Sequence, residues 1–100
     1  MKDFRTFNLA VTFYREARCL QLPAHLRDQL SRAASSIALN CAEARGKDSL
    51  KDQLRYFRIA MGSVRESQAV LILADLDAAP IWMTLDRVAA SLYRLIQMAR

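Results

Sequence analysis

Lys47, Lys51, Arg55, Arg58 and Arg65 recur at three- and four-residue steps, with Gly62 filling the one gap in the series. On a helix of 3.6 residues per turn this spacing stacks them along one side, so their chemistry is collective: a row of fixed cations that attracts phosphate-rich polyanions. A solvated helix face kept for solubility is the plainer alternative. Tyr56 is the one aromatic residue interleaved with the row, a single ring for base stacking.

Bond-making chemistry has no comparable constellation. His25 is the sole histidine, near a helix start, and a general base needs a partner that this lone residue lacks. Cys19 and Cys41 are isolated thiols with neither C-x-x-C spacing nor a histidine cluster, so no zinc site or redox pair is expected. The chain reads as non-enzymatic, without catalytic residues, metal or cofactor. Trp82 and the four methionines read as core or interface filler.

A second polar group reads as structural. Asn40 and Glu43 lie one turn apart on the second helix, and Glu66 on the third comes within reach of Arg32 or Arg45 if the two helices are antiparallel. With Gly62 and Ser63 these residues are expected to form a buried or interfacial network that sets helix register, in preference to binding a ligand. Gly62, costly inside a helix, is expected to mark a close helix approach, with backbone access to a phosphate as the lesser reading.

The elements that must position these groups are helices. Only two glycines and two prolines punctuate the 100 residues, 53% of which are hydrophobic, and good helix formers dominate. Four helices are expected, at about 3–20, 24–45, 49–76 and 80–99. Asp3 caps the first, whose core stripe is Phe4, Phe7, Val11, Tyr14 and Ala17. Pro23 opens the second, which carries the four-three seam Leu26, Leu30, Ala33, Ile37, Cys41 and Ala44. Gly46 is expected in the left-handed position that ends that helix, and Ser49 with Asp52 has the spacing of a capping box.

On the third helix the core stripe is Leu50, Leu54, Phe57, Met61, Val64, Gln68 and Leu71, and its far end turns apolar almost all round. Asp77 is a candidate cap for the fourth helix, with Pro80 in its first turn. Short breaks between amphipathic helices predict an all-α, antiparallel up-down-up-down four-helix bundle, one domain spanning residues 1–100. Surplus apolar surface on the last two helices predicts self-association.

The net charge is +5 and the pI about 9.8, with the excess concentrated between Arg45 and Arg65. The longest apolar run, Ala69 to Ala74, is too short to span a bilayer, and the N-terminus lacks a signal-peptide block. A cytoplasmic chain with no membrane partner is expected.

From Leu30 to Leu73 the chain resembles the four-helix bundle family that includes proteins encoded in intervening sequences of bacterial large-subunit ribosomal RNA genes. That family's second helix has a pattern close to R-x-A-x-S-I-P-x-N-I-A-E-G-x-G, met here by Arg32, Ser36, Ile37, Asn40, Ala42, Glu43 and Gly46. Ala38 replaces its proline, Cys41 its isoleucine and Ala44 its first glycine. Its third-helix pattern, S-x-x-E-F-x-R-F-L-x-I-A-x-G-S-L-x-E, is met by Ser49, Arg55, Ile59, Ala60, Gly62, Ser63 and Glu66, with Asp52, Tyr56, Phe57 and Val64 as near equivalents.

The resemblance implies an antiparallel bundle assembled into a ring-like homopentamer without catalytic activity. The chain is also similar in architecture to accessory proteins of diversity-generating retroelements, basic pentamers that bind nucleic acid and a reverse transcriptase. By analogy the partners are further copies of the chain, RNA or DNA, and a nucleic-acid enzyme. The expected function is a non-enzymatic oligomer whose basic row binds nucleic acid electrostatically. The alternative is a structural or protein-interaction module whose arginines pair with carboxylates of a neighbouring subunit or partner protein.

Overall fold

A computed structural model describes residues 5–100, so Asp3 and Phe4 lie outside it. Four helices follow one another: α1 (Arg5–Arg18), α2 (Ala24–Arg45), α3 (Leu50–Leu73) and α4 (Pro80–Ala99). Each packs on its neighbours in sequence, and α4 closes on α1, giving a four-cornered bundle of 40 × 21 × 19 Å. The connections are too short to cross the bundle, which enforces the up-and-down order.

The axis of the core is built from Phe13, Leu30, Ile37, Val64, Leu71, Leu85, Val88 and Leu92, all fully buried. The α2 seam is buried at every expected position. On α1 the buried stripe is Thr6, Ala10, Phe13 and Ala17, displaced from the expected one, and Phe7, Val11 and Tyr14 are half-buried at its margin. Ala10 lets the neighbouring helices come close, and the larger side chains fill the corners instead. On α3 the stripe is likewise rotated. Ala60, Ser63, Ser67 and Val70 are buried, while Gln68 is half-buried and Leu50 is exposed.

Hydroxyl groups join the helices at two levels. Thr6 and Ser91 share a buried hydrogen bond between α1 and α4. Between α2 and α3 the Ser63 Oγ donates to Ser36 Oγ at 2.8 Å, and Asn40 Nδ2 donates to the Ser36 carbonyl at 2.9 Å and to its Oγ at 3.0 Å. Ser67, fully buried, donates back to the Ser63 carbonyl at 2.9 Å. Among the described residues no buried side-chain polar atom is left without a partner.

The helix ends follow local rules, with three departures from expectation. Ser49 caps α3 as expected, its side chain accepting from the Asp52 N–H at 3.1 Å. Gly46, by contrast, is right-handed at φ −81°, because its N–H closes a tight turn onto Glu43 and no reversal of hand is needed. The αL position lies at the other end of α3, where Asp75 has φ 59°. There the Leu76 N–H reaches the Leu71 carbonyl at 2.8 Å and the Asp75 N–H reaches Ile72 at 3.0 Å, a Schellman closure that stops α3 at Leu73 rather than at residue 76. Asp77 is not the cap of α4. Ala79 holds that place without a side-chain bond, ahead of Pro80 in the first turn.

Candidate nucleic-acid interface

The basic row lies along the outward side of α3. Lys51, Arg55, Arg58 and Arg65 are all exposed, and among the described residues none of the four forms an ion pair. Fourteen residues separate the first from the last, about 21 Å at 1.5 Å per residue. Asp52 and Glu66 are also exposed on this helix, but neither closes a salt bridge with the row. Four exposed cations on one helix, none in an ion pair among the described residues, give this side of α3 a positive field.

Lys47 differs from the other four. It sits in the α2–α3 connection, half-buried, with Nζ 3.3 Å from Glu43 Oε2 and 5.1 Å from the centre of the Tyr56 ring. Arg55 lies over the same ring at 5.2 Å. Tyr56 is therefore half-buried with its face already covered by cations, and it serves to hold the start of the row. Gln53 adds a bond from Nε2 to the Lys47 carbonyl at 3.0 Å, which ties the connection to α3. Arg65 is lightly steadied by Gln68, 3.3 Å from its Nη1.

The second polar group divides. Asn40 and Ser63 meet through Ser36, a residue outside the expected network. Glu43 faces Lys47 instead, while Arg32 and Glu66 are exposed and form no ion pair with each other among the described residues. The polar contact between α2 and α3 is thus an uncharged chain of hydroxyl and amide groups, which avoids the desolvation that buried charges would have cost. Its spacing signal, Ser36 with Asn40 and Ser63 with Ser67 at i, i+4, is present in the sequence but common on helices.

Gly62 lacks, within this chain, the close helix approach expected for it. A Cβ built there would meet nothing within 4 Å, so no helix of this chain approaches it closely. Its φ is not positive either, and a helix-interior glycine forgoes about 1 kcal/mol relative to alanine.

The remaining chemistry-bearing side chains do not converge. His25 and Glu43 sit near opposite ends of α2, roughly 27 Å apart along its axis. Among the described residues no three of His, Cys, Asp and Glu come together as metal ligands. Cys41 is buried, which pushes its thiol up to about 12, and Cys19 is exposed. A cleft of about 240 Å³ between α1 and α2 is lined by Tyr14, Arg18, Arg27, Asp28 and Ser31. Its cations are engaged there, Arg18 over Tyr14 at 5.8 Å and Arg27 toward Asp28 at 3.9 Å.

A family model described as 23S rRNA-intervening sequence protein matches residues 5–78, from the start of α1 through the end of α3. The chain belongs to this family. The match extends beyond Leu30–Leu73 to take in α1. No curated protein and no solved structure matches the chain. No helix among the described residues is long and apolar enough to cross a membrane.

Proposed function

We propose that this intervening-sequence family protein is a non-enzymatic homo-oligomer, of five subunits by resemblance, that binds nucleic acid through the outward row of α3. The observation that carries the reading is the set of four exposed, unpaired cations, Lys51, Arg55, Arg58 and Arg65, in line on one helix. RNA is the first polyanion to test, because its regularly spaced phosphates suit a row of cations. Repeating the row around an assembly multiplies the number of phosphates one particle can neutralise. Self-association draws support from the exposed large apolar residues: seven of eight lie on α3 and α4, namely Leu50, Ile59, Ile72, Leu73, Met83, Tyr93 and Met98.

Those same apolar residues favour a second reading, in which the arginines pair with carboxylates of a neighbouring subunit or partner protein. Charge reversal separates the two. With Arg55→Glu and Arg58→Glu together, the first reading predicts an assembly of unchanged solution mass that no longer retains RNA. Dispersal of the assembly by the same pair would support the second reading and overturn the first.

A further inference from the structure

Gly62 is a helix-interior glycine that neither the packing nor the backbone of this chain requires. A Cβ at this position would stand in open space, and the residue has no positive φ. Alanine would favour the helix, so the bare backbone answers to something outside the chain. Around it one exposed carboxylate, Glu66 four residues after, is outnumbered by cations. Arg58 stands four residues before it, Arg65 three after it and Arg55 seven before it, all exposed and on the same side of α3. The same face of a second copy would bring like charges together at the closest point of contact. A ridge of phosphates would seat on the gap, with a guanidinium to either side.

Two kinds of nucleic acid present phosphates, and they differ in what else they need. A single strand with splayed bases takes much of its binding from exposed aromatic platforms. The row offers none, since Tyr56 is half-buried and its ring is covered by Lys47 and Arg55. A duplex keeps its bases stacked and presents a regular backbone, which suits a cationic row about 21 Å long on one helix.

We infer that α3 docks against double-stranded nucleic acid, with the uncovered backbone at Gly62 as the point of closest approach and Arg55, Arg58 and Arg65 reaching phosphates around it. This deepens the proposed function and rests on it. The substitution Gly62→Ala fills space that is empty within the chain, so it separates docking from folding: the free protein should melt about 4–8 °C higher.

The test measures, by fluorescence anisotropy at one salt concentration, the affinities of the full chain for an RNA duplex and for a single strand of the same sequence. Wild type should prefer the duplex by about tenfold or more. Gly62→Ala should weaken duplex binding several-fold and Gly62→Leu further, with solution mass and single-strand affinity unchanged. Equal or tighter binding of the single strand, or duplex affinity indifferent to both substitutions, overturns the inference and leaves the proposed function standing. Dispersal of the assembly by Gly62→Ala assigns the gap to a second copy and also overturns the inference. Absence of binding to either RNA removes the proposed function together with it.

Discussion

Single residues in this bundle show how burial and backbone conformation become measurable stability. Cys41 lies in the α2 seam, and burial holds its thiol neutral up to about 12 instead of the ordinary value near 9. Below about 9 the thiol is neutral in both folded and unfolded chains and contributes nothing that varies with pH. Between the two values only the unfolded chain gives up the proton, so this contribution falls by about 1.4 kcal/mol per pH unit. Denaturant titrations from pH 8 to 11 should show a steeper loss of stability in wild type than in Cys41→Ala, and equal slopes would refute the assignment. Asp75 adopts φ 59° in the C′ place that usually takes glycine, and its charge sits unfavourably at a helix C-terminus. Asp75→Gly should therefore stabilise the chain by about 0.5–1 kcal/mol in urea unfolding, and a loss of stability would contradict the Schellman reading. That αL residue was hidden in the sequence because Gly46 advertised the motif at the wrong turn. The tight link from Arg45 to Ser49 closes without a left-handed residue.

At the scale of elements, the α2–α3 contact fixes where the basic row points. Gln53 meets Lys47 near the connection, and Ser63 meets Ser36 ten residues further along α3, so a slip of register would break both contacts. A double-mutant cycle with Ser36→Ala and Ser63→Ala should return a coupling of about 0.5–1.5 kcal/mol, and strict additivity would deny the bond any role in register. Helix number and breaks were legible because Pro23, Gly46 with Ser49, and Pro80 each punctuate an apolar period. The azimuth of α1 and α3 was not. Hydrophobicity located an apolar arc on each, but its centre was set by Ala10, Ala60, Ser63 and Ser67, whose small size permits close packing, and the polarity of the two serines hides their burial. The row itself could be read directly, because exposed charges follow helical spacing whatever the core does. Its freedom from ion pairs could not, since Asp52 stands three residues before Arg55, a spacing compatible with pairing.

For the whole molecule, exposed apolar side chains on α3 and α4 form a second surface besides the basic row. Ile72 and Leu73 at the far end of α3 are 52% and 70% exposed, so this chain covers only one side of the segment that was apolar all round in sequence. Met83, Tyr93 and Met98 on α4 are likewise left outside its main stripe. Burial of that surface between copies predicts that Leu73→Glu combined with Met98→Glu lowers the solution mass in sedimentation while the helical content is retained, and an unchanged mass would place the subunit contact elsewhere. The proposed binding of phosphate by the α3 cations would displace counterions. Its most direct test is the affinity for RNA measured as salt rises. With about 6–10 phosphates engaged, affinity should fall by about 10³–10⁵ between 50 and 200 mM salt, and a response that stays flat over that range would contradict the account.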